Sequence, residues 1–103
     1  METLNINNFK TATQEGLVII DFGADWCPPC QMMAPIIESA AGDFAGQIQF
    51  KKVDIDASPE IAQAFDIQGI PTFLVKKEGH LIDRFSGFVP APVFKSHVVQ
   101  YLK

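Results

Sequence analysis

Between residues 17 and 55 the spacing of apolar residues changes twice. Leu17 to Phe22 is apolar at every position but Asp21, as expected of a strand buried on both faces. From Cys27 to Phe44 the period lengthens. Met33, Ile36, Ile37, Ala40, Ala41 and Phe44 recur every three or four residues, one stripe of a helix. Ile48 to Ile55 then returns to a strand-like pattern. A strand, a long helical crossover and a second strand imply parallel pairing of the two strands.

The remaining segments fit around that unit. Leu4 to Ile6 is expected as an edge strand, followed by a short helix around Asn8 to Thr13. Pro35 should kink the long helix, and Gly42 and Gly46 flank its end. Ser58 or Asp56 can cap a short helix with Pro59 near its first position and Ile61, Ala64 and Phe65 on its inner side. Thr72 to Val75 and Leu81 to Phe85 read as two strands joined around Gly79, a hairpin. Val93 to Leu102 reads as a last helix with Phe94, Val98, Tyr101 and Leu102 inward. The late hairpin adds antiparallel strands, so the expectation is an α/β domain with a mixed sheet and helices on both faces.

With 103 residues, one domain over 1–103 is expected. A hydrophobic content of 48% argues against disorder. The net charge of −4 and the lack of any basic cluster beyond Lys51-Lys52 and Lys76-Lys77 argue against nucleic acid. The longest apolar run, Leu17 to Ile20, is too short for a membrane span. The start METLNINNFK lacks a basic segment followed by an apolar one, so a cytoplasmic location is expected. No long apolar surface stripe is left over, and a monomer is the expectation.

The only two cysteines stand in Asp25-Trp26-Cys27-Pro28-Pro29-Cys30. A zinc site needs four ligands, and His80 and His97 lie far apart and out of register for one. A staple across two residues constrains the unfolded chain little. A cycling thiol pair suits the spacing best, because so tight a loop is easily closed and opened. The pair also falls where a helix N-terminus offers free N–H groups and partial positive charge to a thiolate. Cys27 is expected at the cap with its sulfur on the surface, as nucleophile. Cys30, one turn on and more buried, is then the resolving thiol.

Two further features accompany the pair. Asp21 inside LVIIDF is costly unless paired or protonated, and burial would raise its pKa. Lys52, on the same side of its strand as Ile48 and Phe50, is a candidate partner. Gly69-Ile70-Pro71-Thr72 precedes the hairpin, and a proline opening a strand can be cis. A satisfied structural Asp21, a solvated Lys52 and a trans Pro71 are the plainer alternatives.

Taken together, Asp21-Phe22, Ala24 to Cys30, Pro35, Val53 to Asp56, Gly69 to Thr72, Gly79 and Gly87 resemble the thioredoxin family from about Val18 to Leu102. The resemblance implies a thioredoxin fold and a protein-disulfide reductase that carries electrons on its own dithiol. It implies that Cys27 attacks a substrate disulfide and that Cys30 resolves the mixed disulfide. Asp21 would serve the proton of Cys30, with Lys52 near it, and Pro71 would be a cis proline facing the disulfide. Trp26, Pro28, Pro29, Gly69, Ile70, Thr72 and Gly87 would complete the substrate-binding surface. The backbone of Ile70 would pair with an extended substrate segment. No bound cofactor is implied. Electrons would come from NADPH through a flavin enzyme, thioredoxin reductase, and the other partners would be disulfide-containing proteins.

The chain departs from the family pattern at two places. Pro28 stands where the commonest motif has glycine, which removes an N–H near the Cys27 sulfur. Gly23 stands where many members carry tryptophan, leaving Trp26 as the only one and packing beside the site looser. The altered dipeptide keeps an oxidase or isomerase in view. A redox-inert adaptor is a further alternative, though one that needs neither cysteine nor Asp21. His80 and His97 read as surface residues without a role.

Overall fold

The computed structural model describes residues 1–103. In chain order the elements are β1 (Glu2–Thr3), α1 (Phe9–Ala12), β2 (Leu17–Gly23), α2 (Pro28–Asp43), β3 (Gln49–Asp54), α3 (Pro59–Ala64), β4 (Thr72–Lys77), β5 (His80–Ser86) and α4 (Ala91–Val99). A turn of 3₁₀ helix over Gln100–Leu102 ends the chain's ordered elements. The five strands form one sheet in the order β1-β3-β2-β4-β5. β3 is parallel to both β1 and β2, while β4 is antiparallel to β2 and β5. The sheet is thus mixed, as the crossover and the hairpin require.

Alternation along the strands divides the core in two. Leu17 and Ile19 of β2, Phe50 of β3, and Phe73 and Val75 of β4 face Met33, Ile37 and Ala40 of α2 and Phe94 and Val98 of α4. Val18, Ile20 and Phe22 of β2, Val53 and Leu74 face the other way, onto Phe9 of α1 and Ile61 and Ala62 of α3. That is why LVIIDF is apolar at almost every position: both of its faces are covered. Each such side chain contributes roughly 1.5–3 kcal/mol when fully buried. Asp21 has the parity of Leu17 and Ile19, so it points to the α2 side.

Several boundaries move. β1 lies two residues before the expected Leu4–Ile6 strand, and Leu4 itself is core, with its N–H donated to the Lys52 carbonyl at 2.7 Å. Ile6 is exposed. On α3 the buried alanine is Ala62, and Ala64 faces solvent. Ser58 is the N-cap residue of α3 but makes no side-chain cap bond. α2 continues through Pro35 for eight further residues. His97 is half-buried rather than a free surface residue. Its ring packs on Phe85 with centroids 4.4 Å apart, and its Nε2 stands 2.9 Å from the Tyr101 hydroxyl, which donates to Asp83 at 2.6 Å.

Candidate active site

Strands β2 and β3 end, and β4 begins, at one edge of the sheet. The candidate residues singled out in the sequence gather there. Gly23 closes β2, and four residues later Cys27 adopts an extended conformation (φ −94°, ψ 108°) as the N-cap of α2. Pro28 and Pro29 occupy the first helical turn, where their missing N–H groups cost no helix bond. The first amide after them is that of Cys30, and it donates to the Cys27 sulfur at 3.3 Å. Both sulfurs are joined in a Cys27–Cys30 disulfide. The loop before it is tied down by Cys27 N–H to the Ala24 carbonyl at 3.3 Å and by the Gln31 side-chain Nε2–H to the Asp25 carbonyl at 2.6 Å.

One expectation is reversed. Cys27 is only 4% exposed, whereas Cys30 is half-buried. The Cys27 sulfur lies against the segment that precedes β4, 3.9 Å from the Ile70 carbonyl oxygen. The Ile70–Pro71 peptide is cis. Pro71 is buried, and its carbonyl accepts from the Gly87 N–H at 2.8 Å. Gly87 has φ +89°, a conformation that a side chain would disfavour. Thr72 fixes the same corner: its hydroxyl donates to the Gly69 carbonyl and stands 3.2 Å from Ser86 Oγ. Gly69 is exposed and Ile70 half-buried.

Trp26 is 64% exposed, yet its indole is held by an Nε1–H bond to Asp56 Oδ2 at 2.7 Å. Sequence reasoning gave Asp56 only a possible capping role. The available signal was topological. Loops that follow adjacent parallel strands meet at the same sheet edge, so the residues after β2 and after β3 must be neighbours.

Below the disulfide, Asp21 of β2 pairs in register with Lys52 of β3. Asp21 Oδ1 is buried and has no hydrogen-bond partner. Burial pushes the carboxyl up from 3.8 to about 6, and the opposing pull of the Lys52 charge is the smaller effect. The two residues face each other across neighbouring strands, with Lys52 a nearby charge and not a bonded partner. A methyl-sized point above Gly23 lies 3.2 Å from the Cys30 sulfur and 3.7 Å from Asp21 Oδ1. The Cys30 sulfur and Asp21 Oδ1 thus both border the open face of Gly23.

A disulfide at a helix N-terminus, a cis proline beside it and a buried acid beneath it form one connected arrangement. The family model of thioredoxin matches residues 1–100. A thioredoxin of Staphylococcus saprophyticus is 40% identical over 96 residues, 89% of this chain and 92% of that protein. A thioredoxin of Staphylococcus haemolyticus is 42% identical over 84 residues, covering 82% and 81% of the two chains. One of Staphylococcus aureus is 37% identical over 83 residues, 81% of this chain and 80% of its own. By sequence match and by the geometry of its disulfide site, this chain belongs to the thioredoxin family.

Proposed function

We propose that Cys27 is the attacking thiol of this thiol–disulfide oxidoreductase and Cys30 the resolving one, in the reduction of protein disulfides. The observation that carries the assignment is the position of Cys27 at the cap of α2, where the Cys30 N–H donates to its sulfur. That donor and the helix dipole favour a thiolate at Cys27. In the reduced protein the Cys27 thiolate attacks one sulfur of a substrate disulfide. The other substrate sulfur leaves as thiolate, and a mixed disulfide forms. Cys30 gives up its proton, with Asp21 as acceptor, and its thiolate attacks Cys27. The second substrate thiolate departs and the Cys27–Cys30 bond is restored.

Substrates dock as extended segments along the backbone of Ile70, next to Pro71, with Trp26, Pro28, Pro29, Gly69, Thr72 and Gly87 framing the contact. The small exposure of Cys27 is consistent with this: a partner strand reaches the sulfur at the rim of the Ile70 carbonyl rather than from open solvent. Electrons return from NADPH through thioredoxin reductase, and the protein acts as a cytoplasmic monomer. No helix is long and apolar enough to cross a membrane.

The test is turnover of an insulin-type protein disulfide with the two single variants. Cys27→Ser should lower turnover at least roughly 100-fold, as loss of a covalent nucleophile does. Cys30→Ser should also stall, but with a stable mixed disulfide to Cys27. A mixed disulfide that accumulated instead on Cys30 of the Cys27→Ser protein would reverse the assignment.

A further inference from the structure

A cleft of about 170 Å³ opens beside the disulfide, walled by Met1, Asp21, Asp25, Cys30, Lys52 and Asp54, with Gly23 at its floor. Cys27 does not line it. Gly23 is what leaves the space, since a Cβ there would stand 3.2 Å from the Cys30 sulfur. Cys30 is half-buried and Cys27 only 4% exposed, so the two cysteines differ in who can reach them. A protein strand meets Cys27 beside Ile70. A small molecule in the cleft meets Cys30.

We propose that the oxidised protein takes up a small thiol in this cleft and is reduced by attack on Cys30. The inference rests on the cycling disulfide proposed above. The incoming thiolate bonds to the Cys30 sulfur, the Cys27–Cys30 bond breaks, and the electron pair leaves on Cys27. Cys27 suits the leaving role, because the Cys30 N–H already points at its sulfur at 3.3 Å and a stabilised thiolate leaves faster. A second thiol attacks the small-molecule sulfur of the adduct, and Cys30 leaves as a thiolate that takes up a proton. Two thiols are oxidised to one small disulfide, and one protein disulfide becomes a dithiol. Three acidic residues, Asp21, Asp25 and Asp54, line the cleft against a single basic side chain, Lys52. The thiol class is therefore small and without net negative charge.

Cysteamine, a cationic thiol, and 2-mercaptoethanesulfonate, an anionic one, serve as probes on the oxidised full chain. Early time points are acid-quenched, free thiols are blocked with N-ethylmaleimide, and both labels are localised by peptide fragmentation. The expected result is cysteamine on Cys30 and maleimide on Cys27. Cysteamine should also react at least fivefold faster than the sulfonate at equal thiolate concentration. Gly23→Leu, which fills the cleft, should slow cysteamine at least fivefold. Should that variant fail to fold, adduct position in the parent chain decides alone. Adduct chiefly on Cys27, or an unchanged cysteamine rate in folded Gly23→Leu, overturns the proposal. A bond that even dithiothreitol does not reduce overturns the cycling reading itself and this inference with it.

Discussion

At Asp21 one carboxylate oxygen is buried without a partner, and its pKa is raised from 3.8 to about 6. Between those two values the folded chain holds more protons than the unfolded one. Stability therefore falls as pH rises from about 4 to about 6 and stays lower above. At about 1.4 kcal/mol per pH unit the loss is roughly 2–3 kcal/mol, the lower figure allowing for screening through the cleft. Asp21→Asn should flatten that part of the curve and stabilise the protein at pH 8 by a similar amount, measured by urea unfolding across pH 4–8. It should also slow release of the mixed disulfide. A curve no flatter than that of the parent chain would contradict the assignment. Pro28→Gly adds back one N–H at the first turn of α2. It should favour the Cys27 thiolate, because the added N–H is a further donor near the charged sulfur. The pH profile of iodoacetamide alkylation reads this directly, and the reduction potential should move as well. Asp56→Ala removes the only hydrogen bond of the Trp26 indole. It should raise KM for a protein disulfide roughly two- to tenfold, the equivalent of about 0.5–1.5 kcal/mol, with kcat little changed.

Among the elements, α2 connects core to chemistry: its first turn carries the disulfide, and Met33, Ile37 and Ala40 bury its next turns. Ile37→Ala should cost about 2–5 kcal/mol of stability, read by urea unfolding, while leaving the redox chemistry of the folded fraction intact. This helix was legible because its apolar stripe runs for more than three turns. The short elements were not. β1 has two residues and thus no period to detect. What sets its end is local polar bonding: the Asn5 N–H donates to Asn8 Oδ1 at 2.8 Å, and Asn5 Oδ1 accepts from the amides of Asn7 and Asn8. These side chains outcompete a longer strand, and Leu4 turns inward. α4 begins at Ala91 rather than Val93 because Pro90 and Pro92 suit a cap and a first turn.

For the molecule as a whole, the order of strand, crossover and hairpin was enough to reach a mixed sheet covered on both faces. Asp21 and Lys52 met because parallel register places them side by side, and the Ile70 carbonyl, just before Pro71, met Cys27 because β4 starts where α2 does. Relative exposure of the two cysteines was not legible. It depends on Ile70 covering one sulfur and on the missing side chain of Gly23 uncovering the other, both of them long-range facts. The same two facts give the site two approaches, one for a protein strand and one for a small thiol. The central claim is that Cys27–Cys30 cycles as a reductant of other disulfides. Equilibration in defined thiol buffers, read by the fluorescence of Trp26, the only tryptophan, tests it most directly. The expected result is one two-electron transition near the roughly −270 mV known for thioredoxin. A transition between about −180 and −120 mV, the range of isomerases and oxidants, would contradict the account.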